Sequence, residues 1–433
     1  MTGSLLHAPR LHRTVLDNGL TILVLENPVA DIVSARLLIR AGKAQEAPEA
    51  AGLASFLMGL LTKGTQTLSS LEIAEAVESV GASLGTDAAA DYSVISLKTV
   101  SADFGPILSL AASLLRFPSF PEEEIDLEQR LTLQQIRSMR EQPFTVTFNQ
   151  LRQDMYGDHP YSLPGIGTET TVAGFHRQQL FDFHQQYFRP DNMVVTIVGR
   201  ITPAAAVAQV EQVLGDWAVP NSPLQGVVFP AVPSEGHCSV ATQDTNQAIV
   251  MVGYPAASVK HPAYAALKLL NTYLGNGLSS RLFVELREKR GLAYDVSAFY
   301  PTRLGQSQFV AYMGTAPQNT ATALEGLRFE VERLRDTLLS EDELQAAKNK
   351  LLGQYALGKQ TNAQIAQLLG WYEILGLGVE FDQHFQEMTA AVTAEEARDV
   401  AQKFFHTPYI SLLGPEEAVV PLMTGHSREE TLP

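Results

Sequence analysis

The chain has 433 residues, 45% of them hydrophobic and 18% charged, with 47 acidic against 31 basic side chains and a formal net charge of −16. That length calls for two or three domains with sizeable cores, and the acidic balance argues against a nucleic-acid partner, which selects basic surfaces. The single cysteine, Cys238, excludes an internal disulfide and any multi-cysteine zinc site, and fits a reducing compartment. Residues 1–13 are mostly polar, and no window approaches 18 uninterrupted apolar residues. A soluble, cytoplasmic protein with no signal peptide and no membrane partner is the expectation.

Residues 12–26 read as a hairpin turning at Asp17-Asn18-Gly19, and residues 32–39 as a further strand. Residues 49–61 place Leu53, Phe56, Leu57, Leu60 and Leu61 on one buried helical face, with Gly64-Thr65 as terminator. Ser69 or Ser70 caps a second helix reaching Val80, and strand-like alternation follows through residues 92–97. A third helix fits residues 104–115. Pro121 then opens a long helical stretch with Glu122, Glu123 and Glu124 in its first turn, broken or restarted at Pro143. Helix 172–187, strand 193–198 and helix 203–217 complete the first half.

Residues 219–233 hold Pro220, Pro223, Pro230 and Pro233 with Asn221, Ser222 and Gly226, a linker-like stretch near the midpoint. After it the order repeats. Strands fit 238–242 and 248–252, helices 263–274 and 280–290, and a hairpin 298–313 turning at Arg303-Leu304-Gly305. Helices follow at 320–338, 341–358, onward to 375, and at 394–405. Residues 410–413 look like a last strand, and the tail after Pro415 carries no pattern. The succession of strand pair, helix, hairpin and long helices occurs twice. The fold class expected is α+β, two duplicated domains of about 200 residues, each a mostly antiparallel sheet packed against several helices.

Chemistry-bearing residues are sparse. Arg287 and Tyr294 are seven apart, two turns of a helix, so they share a direction if the helix persists. A guanidinium fork and a phenol together suit a peptide carbonyl or a developing oxyanion, although alone the stretch reads as an amphipathic surface helix. No two of the ten histidines stand at i, i+4; His176 and His184 flank a helix. Residues 275–278 match neither nucleotide-loop pattern. Asp158, His159 and Tyr161 read as a structural turn.

The run from Gly52 through Ser55-Phe56-Leu57-Met58-Gly59 to Lys63-Gly64-Thr65 resembles the active-site helix of the insulinase or pitrilysin-type (inverted zincin) metallopeptidases, the family that includes the processing peptidases. In that family the helix carries H-x-x-E-H, two zinc-binding histidines and a water-activating glutamate. Here the first histidine position is Ser55, the glutamate position Met58 and the second histidine position Gly59. The family's third ligand, a glutamate on a long downstream helix, matches Gln135, whose neutral amide is a poor zinc ligand. The rest of the frame persists: Tyr156-Gly157-Asp158-His159-Pro160-Tyr161, Gly165-Ile166-Gly167-Thr168, Tyr187 through Pro190 to Met193, and Leu274 to Phe283. Arg287 and Tyr294 fall on the pair that contacts substrate near the zinc in this family. The Asn-Ala-x-Thr signature of its substrate-pairing edge strand is missing at Gly81-Ala82-Ser83-Leu84. The resemblance runs from about Leu16 to about Leu413.

The resemblance implies a peptidase-like domain with a degenerate zinc motif over residues 1–218, a linker at 219–236, and a second such domain carrying the Arg/Tyr pair over 237–433. It implies no metal in this chain and a zinc in a paralogous partner subunit that carries H-x-x-E-H. The chain would then be the non-catalytic, processing-peptidase-like half of a heterodimeric endopeptidase acting on peptides in a closed chamber. The alternative is an inactive structural or peptide-binding homodimer. An independent peptidase would need a metal site that the sequence does not offer.

Overall fold

The Asp17-Asn18-Gly19 turn forms as its sequence requires, with Gly19 at φ +84° and the strands β1 (His12–Val15) and β2 (Thr21–Glu26) paired antiparallel across it. The computed structural model describes residues 11–224 and 226–425; the reading of residues 1–10 and the linker position Gln225 lie outside the described residues. The first half continues with β3 (Val33–Ile39), α1 (Leu53–Leu60), α2 (Ser70–Glu78), β4 (Ser83–Ala88), β5 (Ser93–Thr99), α3 (Phe104–Arg116) and α4 (Glu122–Arg140). It closes with α5 (Pro143–Tyr156), α6 (Glu169–Ala173), α7 (Arg177–Tyr187), β6 (Met193–Gly199) and α8 (Pro203–Leu214). The second half comprises β7 (Cys238–Thr242), β8 (Ala248–Ala256), α9 (Tyr264–Gly275), β9 (Asp295–Phe299), β10 (Ser307–Thr315), α10 (Thr320–Glu332) and α11 (Glu341–Leu357). After these come α12 (Asn362–Ile374), α13 (Phe381–Ala391), α14 (Ala394–Phe404), β11 (Tyr409–Gly414) and α15 (Glu416–Gly425).

The duplication is written in the sheets. The first runs β1-β2-β6-β3-β5-β4 and the second β7-β11-β8-β10-β9. Leaving out β1, each strand of the first has its counterpart in the second at the same place in the order. Each sheet is antiparallel except at one equivalent pair, β2 with β6 and β11 with β7, where the strands run parallel. The fold is thus α+β, with two mostly antiparallel sheets of one topology.

The chain divides into two compact units that are interleaved in sequence. One comprises residues up to 136, 164–227 and 356–381; the other comprises 137–163, 228–355 and 382 onward. In the first, Val33, Ala35, Leu37 and Ile39 of β3 point into a core with Leu53, Phe56, Leu57 and Leu60 of α1 and Ile107 and Leu108 of α3. The opposite face of that sheet is covered by α12, which packs on β3 and β6. In the second unit α5 packs on β8 and β11, the equivalent strands. Each half of the sequence therefore supplies a helix to the sheet built by the other half. A boundary placed at 219–236 separates the strands of the two sheets, but these two helices belong with the other half's strands.

Glycines make both packings close. A Cβ built on Gly370 of α12 would stand 2.4 Å from Leu38 Cδ1 and 2.8 Å from Thr196 Oγ1. One built on Gly253 of β8 would stand 2.7 Å from Met155 Cε of α5.

Several elements differ from the sequence expectation. The helix expected over 172–187 is two helices, because the chain leaves α6 at Gly174 and the His176 ring starts α7 by accepting from Gln179 N–H. Residues 381–391 form α13, which the pattern did not signal, and the tail after Pro415 forms α15. The linker has no regular element among its described residues. Its start is fastened by the buried Arg189 guanidinium, which pairs with Asp191 at 2.6 Å and donates to Ser222 O at 2.6 Å and Pro220 O at 3.1 Å. Among the described residues no helix is long and apolar enough to cross a membrane.

Candidate functional site

The helix α1 is set by its N-terminus. Gly52 caps it at φ +96°, a left-handed conformation that favours glycine, and a Cβ there would collide with Gly167 N at 2.6 Å. Gly167 is held equally close to Ala51 O, which accepts from Thr171 Oγ1 at 2.8 Å. The two glycine motifs singled out in the sequence are thus the two sides of one close backbone approach. On the α1 side of this approach Glu46 is 6% exposed, and its carboxylate oxygens accept from Gly52 N–H at 2.8 Å and Ala54 N–H at 2.7 Å. Burial pushes this carboxyl up to about 7, against the lowering pull of those two donors and of Lys43. Sequence reasoning missed Glu46; its only signal was an acid shortly before a helix.

The positions that match the family's metal motif are occupied by packing. The Ser55 hydroxyl donates to Gly165 O at 2.9 Å. Met58 is 1% exposed within the core, and its carbonyl accepts from Thr86 Oγ1 on β4 at 2.6 Å. Gly59 has no side chain, and the space where its Cβ would stand lies 3.0 Å from Glu128 Oε1 of α4. Gln135 lies seven residues, two helical turns, beyond Glu128 and is exposed. A hydroxyl committed to a carbonyl, a buried thioether and a bare Cα do not suit zinc, which takes imidazole, thiolate or carboxylate. Among the described residues no group of three or more His, Cys, Asp or Glu is placed to hold a metal ion. Glu128 is the acid that the structure brings to the metal-motif position Gly59 of α1, and the sequence offered no reason to prefer it over its neighbours on α4.

In the other unit, Arg287 and Tyr294 are not on one helix. Residues Phe283–Glu288 form a π-helical turn in which Lys289 N–H reaches back to Val284 O, and Gly291 at φ +62° ends it. Leu292 N–H closes on Leu286 O, Thr315 Oγ1 donates to Leu292 O at 2.6 Å, and Tyr294 N–H donates to Gly314 O at 2.8 Å. Tyr294 therefore stands at the entry to the edge strand β9, and two helical turns do not relate it to Arg287. Short π segments are frequent at functional sites. Arg287 is exposed with its guanidinium over the Phe283 ring at 5.0 Å, and Tyr294 is 62% exposed. Neither side chain takes a hydrogen bond or ion pair among the described residues.

Other titratable groups are structural. His159 stacks on Phe229 at 5.4 Å and accepts from Tyr161 N–H through Nδ1, and burial lowers it to about 4. The Tyr161 hydroxyl accepts from Gly305 N–H at 3.1 Å, so the His-Pro-Tyr segment is an aromatic anchor. His184 donates from Nε2 to Leu115 O at 2.7 Å and is likewise lowered to about 4 by burial.

Comparison with known proteins gives this architecture a place. Residues 21–169 match the family model Insulinase (Peptidase family M16), and residues 174–351 match Peptidase M16 inactive domain. An uncharacterized zinc protease of Streptomyces coelicolor is 27% identical over 94% of this chain and 90% of its own length. The uncharacterized zinc protease YmxG of Bacillus subtilis is 26% identical over 94% of this chain and 98% of its own. Among solved structures, a peptidase M16 inactive domain from Pseudomonas fluorescens superposes with a TM-score of 0.87 at 25% identity, covering 94% of this chain and 98% of that one. A protease from Helicobacter pylori, at 20% identity, shares the fold with a TM-score of 0.86 over 94% of this chain and 100% of that one. The chain belongs to the insulinase family of peptidases, M16, whose two domain models match it in tandem.

Proposed function

We propose that this chain is the non-catalytic, substrate-contacting subunit of a two-chain zinc endopeptidase that acts on peptides in a closed chamber. A paralogous partner carries the H-x-x-E-H helix and the zinc, and this chain contributes Arg287 and Tyr294 to the substrate carbonyl. The observation that carries the reading is a contrast between two sets of residues. Ser55, Met58 and Gly59 are absorbed into packing, while Arg287 and Tyr294 project from a π-helical turn and a strand entry with their donors unengaged. A guanidinium fork and a phenol can donate to a peptide carbonyl and strengthen as it becomes an oxyanion. The names of the zinc protease relatives support a peptidase setting, and the cytoplasm is the compartment that the single cysteine and the absence of a long apolar segment favour.

The test is reconstitution with an H-x-x-E-H paralogue, assaying peptide cleavage with each chain alone and with both. Cleavage by the pair and not by this chain supports the reading. Tyr294→Phe in the pair lowers turnover by about 100-fold, the usual loss for one oxyanion donor, while assembly is unchanged. Wild-type turnover in that variant overturns the role given to Tyr294. A chain that forms a stable homodimer and gives no activity with any such paralogue points to the structural alternative.

A further inference from the structure

The first compact unit holds a cavity of about 370 Å³ on the α12 side of its sheet, unrelated to the positions above. Its volume lies in the range of small-ligand pockets, about 300–1,000 Å³. Arg36 of β3 lies at one side, with Tyr92, Gln364, Gln367, Leu368 and Trp371 around it. The guanidinium is fixed, since Nε donates to Gln367 Oε1 at 3.1 Å and Nη1 to Ala35 O at 2.9 Å. Gln367 is fixed in turn, donating from Nε2 to the Tyr92 hydroxyl at 3.2 Å.

What is missing is a counter-ion. Among the described residues Arg36 joins no ion pair, and no aspartate or glutamate lines the cavity. In a chain of net charge −16, a partly buried arginine without an acid beside it is conspicuous. Among the described residues its remaining N–H groups have no partner, and they are not sealed from solvent. Gln364 adds a further donor, because its Oε1 caps α12 by accepting from Thr361 N–H and Oγ1, leaving Nε2 free. The cavity thus gathers unengaged donors and one uncompensated positive charge against apolar walls. Desolvating such a charge is unfavourable, and a bound anion offsets it. A planar carboxylate meets a guanidinium edge with two parallel hydrogen bonds, and the Leu368 and Trp371 walls suit an apolar group attached to it.

We infer that this cavity is a carboxylate-binding site, with Arg36 as the anchoring cation and Gln364 as the second donor, for a ligand with an apolar or aromatic body. Two sources offer that chemistry, the C-terminus of a peptide ending in an apolar residue and a free small carboxylic acid. The site is independent of the partner-subunit reading, since it lies within one compact unit of this chain.

Isothermal titration of the full chain with N-acetyl-Ala-Phe, its C-terminal amide and 3-phenylpropionate tests the inference. The expected result is saturable binding of an acid at least tenfold tighter than the amide. Tighter binding of the peptide identifies a peptide C-terminus as the source, and equal binding of 3-phenylpropionate identifies a small acid. Arg36→Gln weakens the acid at least tenfold without lowering the melting temperature, because the loss of the Nη1 bond to Ala35 O is offset by removal of an unpaired, partly buried charge, and the glutamine Nε2 can stand where Arg36 Nε donates to Gln367. Gln364→Ala weakens it less. An amide that binds as well as the acid, no binding of either acid at millimolar concentration, or an unaffected Arg36→Gln variant overturns the site.

Discussion

Glu128 aims a carboxylate oxygen at the bare Cα of Gly59, so that a Cβ added there would stand 3.0 Å from it. The contact is with the end of a flexible side chain, which can move aside by a few tenths of an ångström. Gly59 lies in the last turn of α1, where alanine is favoured over glycine by up to about 1 kcal/mol. Gly59→Ala is therefore expected to stabilise the chain by as much as about 1 kcal/mol in urea unfolding. Destabilisation instead would mean that Glu128 is held rigidly against the helix, and Glu128→Ala in the same background would then restore the gain.

The buried Glu46 makes stability depend on pH. Its carboxyl is raised from an ordinary 4.5 to about 7 by burial, so between those values the folded state binds a proton that the unfolded chain does not. Its contribution is fully present below about pH 4.5 and is lost as pH rises through about 7. Each pH unit of separation is worth about 1.4 kcal/mol, which sets an upper limit of about 3 kcal/mol. Glu46→Gln keeps an acceptor for one of the two N–H groups and is expected to flatten the stability profile across this window. A wild-type profile that rises from pH 5 to 7, with no change in slope in the variant, would contradict it.

Lys268 of α9 gives the opposite slope at higher pH. Lys268 is half-buried, with its ammonium against the Tyr264 and Tyr300 rings at 5.3 and 5.0 Å and donating to Tyr300 O at 2.8 Å. Burial, reinforced by Arg303, lowers it from 10.5 to about 8. Above about pH 8 the folded chain has released a proton that the unfolded chain still holds, so this group makes stability rise from there toward pH 10. Beyond pH 10 the buried Tyr264 and Tyr300 hydroxyls, both raised by burial, reverse the trend. Lys268→Met fills the same space without a charge and is expected to raise the melting temperature at pH 7 and remove the rise between pH 8 and 10. A variant less stable than wild type at pH 7 would show that the ring faces and the Tyr300 carbonyl compensate the charge fully.

The sequence made some of this legible and hid the rest for physical reasons. The succession of elements and its duplication followed from local signals such as Asp17-Asn18-Gly19 and the apolar spacing of Leu53, Phe56 and Leu57, because period and turn chemistry are local properties. The Arg287–Tyr294 relation was misread because a helical period was extended through Gly291, where the chain leaves its π turn at positive φ. Glu46, Glu128 and Arg36 were invisible for a different reason. Each owes its character to what surrounds it in space: two backbone N–H groups, a missing Cβ, an absent counter-ion. The exchange of α5 and α12 was hidden likewise, since a helix face records that it is buried and not which sheet buries it.

That exchange can be tested through the two glycines that permit it. At Gly370 an added Cβ would meet Leu38 Cδ1 at 2.4 Å and Thr196 Oγ1 at 2.8 Å, in a sheet face where Leu38 is fully buried. Closely packed interiors cannot absorb such an intrusion without displacing the helix, and overpacking of this kind costs about 1–3 kcal/mol. At Gly253 the nearest atom is the terminal methyl of Met155, at 2.7 Å, on a side chain that adapts through several rotatable bonds. Gly370→Ala is therefore expected to destabilise more than Gly253→Ala, by about 1 kcal/mol or more in urea unfolding. Leu38→Ala removes the obstructing methyl, so the double variant Gly370→Ala/Leu38→Ala should be less destabilised than the two single effects added together. Strict additivity would mean that the cost at Gly370 arises within α12 itself and not from its seat on β3.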